Sequence, residues 1–217
     1  MRGPLARRVR LGVVLYGAMV VLALVIAWWR EDSLLFQPAV LPPGLPSWLV
    51  ASPLTVTLIS VVGGVALAGL TVASTEWLVR RTAWARALRA EFRSALEGAT
   101  PPEIAVLALA SGTAEELLFR GALQPALGLA WTSLLFGAVH FVPSRRLLPW
   151  TAWAGVMGVL LGLLYERTGS IAGCVVAHVA INAINLGRIV RFDPTLDEDH
   201  PLAPPSLVDR RRTRSRG

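Results

Sequence analysis

From Leu11 to Trp29 nineteen consecutive residues carry no charge, and at about 1.5 Å per residue such a run, folded as a helix, nearly crosses the hydrocarbon core of a bilayer. Arg7, Arg8 and Arg10 precede the run and Arg30-Glu31-Asp32 close it. It is longer than a signal-peptide core and no small-x-small cleavage site follows it, so it reads as an uncleaved first span. Five more apolar runs follow, at about Leu54 to Ala73, Glu103 to Gln124, Leu129 to Val142, Trp150 to Tyr165 and Ile171 to Val190, with a short link at Pro125 to Gly128 between the run ending at Gln124 and the one starting at Leu129. Backbone in lipid must satisfy its own hydrogen bonds, which helices do internally. Composition agrees: 16% of the chain is charged and 54% hydrophobic, against about 25% charged in soluble domains. The expected fold is all-α, a polytopic integral membrane helical bundle of about six transmembrane helices.

All 21 basic residues are Arg, and with 14 acids they leave a net charge of +7. A surplus of this size suits either a nucleic-acid surface or charge that fixes membrane topology. Position favours topology. The arginines stand in blocks between the apolar runs, without the interleaved aromatic residues of a nucleic-acid face. With the N-terminus inside, the inner connections hold Arg2, Arg7, Arg8 and Arg10, then five between Thr75 and Gly98, then Arg145 and Arg146, then the tail; the outer loops hold Arg30 and Arg167. Both termini are therefore expected in the cytoplasm of a multi-pass protein of the cell membrane, with lipids and no nucleic acid as partners.

The connections have distinct characters. Pro38, Pro42, Pro43, Pro46 and Pro53 surround Trp48 in an expected irregular connection at the membrane surface. Between Thr75 and Gly98, Trp77, Trp84, Leu88, Phe92 and Leu96 recur at helical spacing, with Arg80, Arg81, Arg86, Arg89 and Arg93 on the remaining surface. That pattern predicts one basic amphipathic helix at the membrane interface, with a soluble partner-binding helix as the alternative. Gly63, Gly64 and Gly69 in the second run, and Gly155, Gly158 and Gly162 in the fifth, predict close helix packing. Cys174, the single cysteine, reads as a small packing residue. The organisation expected is residues 1–100 with two spans and the amphipathic helix, residues 101–190 with the remaining spans, and a charged tail over 191–217 that lacks periodicity and is expected to be disordered.

Ionisable groups inside a span are costly and tend to face a protein-lined cavity. Three groups qualify. Glu116 and Arg120 lie four apart on one helical face, so the arginine can hold that carboxylate, while Glu115 is rotated by about 100° into a different environment. His140 lies near the end of the fourth run, and His178 and Asn182 share a face of the sixth. Glu, two His and Asn on separate helices have the chemistry to deprotonate a water and stabilise an oxyanion. The same residue types also line proton or ion pathways in transporters. Sketched depths do not agree: Glu115 lies about 18 Å from a helix start at Glu103, and His178 about 10 Å from the outer end of its run.

Together, Glu115-Glu116-x-x-x-Arg120, Phe136-x-x-x-His140 and His178-x-x-x-Asn182 resemble the three motifs of the CPBP family, the CAAX proteases and bacteriocin-processing proteins also called Abi. The resemblance covers about residues 101–190 and implies an intramembrane endopeptidase. By that resemblance Glu115 would activate water with the help of His140, Glu116 would be a supporting carboxylate held by Arg120, and His178 with Asn182 would bind the oxyanion. The family is commonly labelled metalloprotease, while its best-understood relatives are described as glutamate-dependent. If a divalent metal such as zinc is present, Glu115, His140 and His178 would hold it; no HExxH motif occurs. The implied substrate is a membrane-anchored or lipid-modified protein or a leader peptide, cut at a CAAX-type end, a leader or a C-terminal sorting signal. A transporter or an immunity scaffold that keeps the polar cluster is the alternative function.

Overall fold

The computed structural model describes residues 4–38 and 52–191. The bulk of the Pro-rich connection, 39–51, and the tail, 192–217, lie outside the described residues. All regular elements among the described residues are helices: α1 (Pro4–Arg30), α2 (Pro53–Arg81), α3 (Ala83–Ala95), α4 (Pro101–Glu116), a π-helical segment (Leu117–Leu123), α5 (Gln124–Val139), a 3-10 turn (Arg145–Leu147), α6 (Leu148–Thr168) and α7 (Ala172–Arg191). Five stretches are long and apolar enough to cross a membrane: Val9–Arg30, Pro53–Arg81, Pro101–Val139, Leu148–Thr168 and Ala172–Arg191. Side chains such as Leu15, Val62, Leu70 and Trp131 stay well exposed on their outer surfaces, as lipid-facing residues do. The chain is a multi-pass helical membrane protein.

The third and fourth apolar runs, together a stretch of 39 residues, are two helical arms that meet at a kink. The link expected at Pro125 to Gly128 narrows to a bend at Gly128, whose φ of 76° and ψ of 167° suit a residue without Cβ. Beyond the bend, residues 129–139 rise only about 16 Å, half the hydrocarbon thickness. This arm ends beside Glu115, as described below.

Close packing centres on α2 and α7. A Cβ at Gly64 would overlap the Gly173 backbone, and one at Gly173 would overlap the backbone of Ser60. Ser60 Oγ donates to the Ser170 carbonyl at 2.8 Å and accepts the Gly173 N–H at 3.0 Å. Small residues and hydroxyl bonds substitute here for the hydrophobic drive that lipid cannot supply. Gly69, also expected to take part, meets nothing at its Cβ position. At one end of the bundle the chain after α1 pairs with the α6–α7 turn, through Gln37 N–H to Gly169 O at 2.9 Å and Ile171 N–H to Leu35 O at 3.1 Å.

The opposite end is basic. Glu76 of α2 draws in Arg89 of α3 at 3.2 Å, Arg188 of α7 at 3.7 Å and Arg80 at 3.4 Å. Arg93 donates to the carbonyls of Ile189 and Val190 at 2.9 and 3.0 Å, serving carbonyls that a helix C-terminus leaves without partners. The amphipathic segment is therefore shorter than its periodicity suggests: the helix breaks at Thr82, Trp77 belongs to α2 and is exposed, and Arg89 is buried. Arg89 and Arg93 bind inward instead of joining an outer basic face, because Glu76 and the end of α7 offer them partners.

Candidate active site

α4 starts at Thr100, whose backbone N–H donates to the Glu103 carboxylate at 2.9 Å, with Pro101 and Pro102 in the first turn. It continues straight into the π-helical segment, where the Gln124 N–H reaches back to Phe119 O. Such widened turns recur at functional sites. Here the transition falls between the Glu pair and Arg120.

The two glutamates face different surroundings. Glu116 is fully buried and Arg120 is 1% exposed; Arg120 Nη1 donates to Glu116 Oε1 at 2.9 Å and its Nη2 to the Gly158 carbonyl at 3.1 Å. The guanidinium also lies over the Phe136 ring, 4.4 Å from its centroid, an arrangement that favours a cation. His178 Nδ1 stands 2.6 Å from the same Glu116 oxygen. Glu116, tied to an arginine, is the acceptor, so Nδ1 carries the hydrogen and Nε2 is the free end of the His178 ring.

That free end points to Glu115, as does His140. Glu115 Oε2 is 3.7 Å from His140 Nε2 and 3.8 Å from His178 Nε2, and it is a buried oxygen without a hydrogen-bond partner among the described residues. His140 sits just past the end of α5, and its Nδ1 lies 2.7 Å from the Phe136 carbonyl. A carbonyl only accepts, so Nδ1 is the protonated nitrogen and Nε2 presents its lone pair toward Glu115. Phe136, 3% exposed, thus orients both His140 and Arg120.

The depths reconcile once the helices are placed. α4 and α7 pack antiparallel, with Glu115 about 21 Å from the start of α4 and His178 about 20 Å from the end of α7. His140 reaches the same level because α5 stops at Val139. A cavity of about 440 Å³ opens there, lined by Glu115, His140, His178 and Asn182 and by apolar side chains including Trp84, Leu88, Phe92, Trp150 and Trp153. Glu116 and Arg120 are not in its lining and stand behind it. The apolar face of α3 closes this cavity.

Asn182 lines the cavity, but its Nδ2 donates to Ser111 Oγ at 2.9 Å, so this amide hydrogen is committed to α4. Ser111 and Tyr16, which share the cavity lining, were not singled out by the sequence. Ser111 carried a usable signal, since it lies four residues before Glu115 on the same helical face. A lone tyrosine in an apolar first span gave none.

The donor set expected for a metal, Glu115, His140 and His178, converges but stands wide. Tetrahedral zinc with bonds of about 2.0–2.1 Å sets its donors roughly 3.3 Å apart, less than the 3.7 and 3.8 Å found. Among the described residues no group of three His, Cys, Asp or Glu side chains is arranged to hold a metal ion.

Residues 97–184 match the family described as type II CAAX prenyl endopeptidase Rce1-like. All six polar residues of the cluster fall within that match. The chain is also similar to the uncharacterized protein YpbD of Bacillus subtilis (strain 168), 41% identical over 101 residues, which is 46% of this chain and 51% of the relative. The chain thus spans about half the length of that curated relative. No solved structure matches it.

Proposed function

We propose that the protein is a membrane-embedded endopeptidase in which Glu115 activates the water that attacks the peptide bond. The observation that carries this is the convergence of an unpartnered, buried Glu115 Oε2 and two imidazole Nε2 atoms at 3.7 and 3.8 Å on the wall of a cavity. These separations are too long for direct hydrogen bonds and fit a bridging water. The Rce1-like match over the same residues supports the same reaction class.

In this mechanism Glu115 takes a proton from the water as its oxygen adds to the scissile carbonyl, and His140 Nε2 steadies the second water hydrogen. The carbonyl electrons move to oxygen, and the oxyanion is met by a hydrogen from His178 Nε2 and by the Asn182 amide. Donation from Nε2 requires His178 in its imidazolium form, whose charge Glu116 faces through Nδ1. Collapse of the tetrahedral intermediate breaks the C–N bond, and the proton held by Glu115 passes to the departing amine.

The substrate proposed is the C-terminal region of a membrane-anchored or lipid-modified protein, or a leader peptide, entering an apolar cavity whose far wall is the aromatic face of α3. The proposed setting is the cell membrane, with the arginine-rich end and both termini in the cytoplasm, as the arginine asymmetry of the connections favours. Comparison of membrane-protein termini between cells expressing the wild type and cells expressing Glu115→Gln tests the reading. Termini that change only with the intact glutamate support it; identical termini with both proteins expressed refute it in favour of a transporter or scaffold.

A further inference from the structure

Resting on the endopeptidase reading, we infer that Ser111 is a positioning residue that aims the Asn182 amide into the site, so that α4 and α7 carry a two-rung polar ladder. The upper rung is Glu115 with His178, at 3.8 Å. The lower rung is Ser111 with Asn182, at 2.9 Å. The two rungs stand four residues apart on each helix, Ser111 to Glu115 and His178 to Asn182, and the antiparallel packing brings the earlier residue of one helix opposite the later residue of the other.

The register of the ladder is fixed by contact between the rungs. A Cβ at Gly112 would lie 2.7 Å from the Val179 side chain, 2.8 Å from its backbone N and 3.0 Å from its Cα. Only glycine permits this approach, and the approach is what brings a short Ser hydroxyl within reach of the Asn amide.

The chemistry of the two groups assigns their parts. The Asn182 amide has two hydrogens, and Ser111 Oγ accepts one of them. A planar amide held by one N–H has the direction of its second N–H restricted as well, and Asn182 lines the cavity. Ser111 is 5% exposed, so water does not readily replace it as the acceptor. Tyr16 of α1 lines the same cavity and brings to it a helix outside the 97–184 match. Preorganised donors owe their value to fixed direction, so Ser111 acts through Asn182 without touching substrate.

The chain has two asparagines, Asn182 and Asn185, which makes the test direct. In [15N]asparagine-labelled protein in micelles, the side-chain NH2 pair that disappears in Asn182→Ala shifts in Ser111→Ala and returns toward its original position in Ser111→Thr. With a quenched farnesylated CAAX peptide as probe, Ser111→Ala lowers kcat by roughly 10- to 100-fold with KM nearly unchanged, and has no further effect when Asn182 is already Ala. An unmoved NH2 pair in folded Ser111→Ala overturns the inference, as do losses that multiply in the double variant. Glu115→Gln keeps the two claims apart: cleavage surviving in that variant refutes the endopeptidase reading, whereas a dead Glu115→Gln with an unmoved amide refutes only the role of Ser111. The NMR arm decides even where the peptide is not cleaved.

Discussion

His178 donates its Nδ1 hydrogen to Glu116 Oε1 across 2.6 Å, and that oxygen also takes the Arg120 guanidinium at 2.9 Å. One buried carboxylate therefore fixes both its cation and a histidine of the cavity wall. Adjacent in sequence, Glu115 Oε2 has no such partner among the described residues. The different roles proposed for the two glutamates rest on this asymmetry.

Glu115→Gln is expected to reduce peptidase turnover by at least about 10³-fold while the melting temperature in detergent stays close to wild type, since the substitution is isosteric and removes no formed hydrogen bond. Parallel rate and thermal-shift measurements check it. Equal loss of stability and rate would place Glu115 in the packing and not in the chemistry.

Arg120→Leu is expected to behave in the opposite way. Removing one partner of a fully buried pair leaves the other charge uncompensated, at a cost of about 3–5 kcal/mol. Thermal unfolding in detergent should show a large destabilisation, and Glu116→Gln combined with Arg120→Leu should recover part of it. Unchanged unfolding of Arg120→Leu would remove the pair from its structural role.

Gly112→Ala is expected to push α4 from α7 and weaken both rungs, with about 1–3 kcal/mol of overpacking strain and at least a tenfold loss of turnover. Val179→Ala should not rescue it, because the obstacle includes the Val179 backbone at 2.8 Å. Rescue by Val179→Ala, followed through activity and unfolding, would mean that the side chain alone sets the helix spacing.

Exhaustive treatment with a strong zinc chelator is expected to leave turnover within about twofold of the untreated enzyme, as the donor separations of 3.7 and 3.8 Å lead one to expect. Metal analysis of the treated protein checks that removal was complete. Activity lost with the metal and restored by zinc alone would overturn a glutamate-only mechanism.

Much of this architecture was legible in the sequence because lipid leaves few choices. Runs without charge must be helices, and the charges that remain inside them must find one another, which is why Glu116 with Arg120 and the cluster of Glu115, His140 and His178 were readable from spacing and motif. The break between the third and fourth runs is legible too, as the link at Pro125 to Gly128, and the structure narrows it to Gly128. Helical periodicity sorts residues by face and says nothing of a neighbouring carboxylate such as Glu76, so it gives no sign that Arg89 and Arg93 turn inward. The spacing of Ser111 four residues before Glu115 places it on the same helical face, but its pairing with Asn182 depends on the register between α4 and α7, which rests on the Gly112–Val179 contact.

The central claim is that Glu115 draws a proton from water for attack on a peptide bond. Purified protein, given in H2(18)O the substrate identified by its altered terminus, should place one 18O in the newly formed carboxyl group, and Glu115→Gln should place none above background. Incorporation at the wild-type rate in Glu115→Gln would contradict the account.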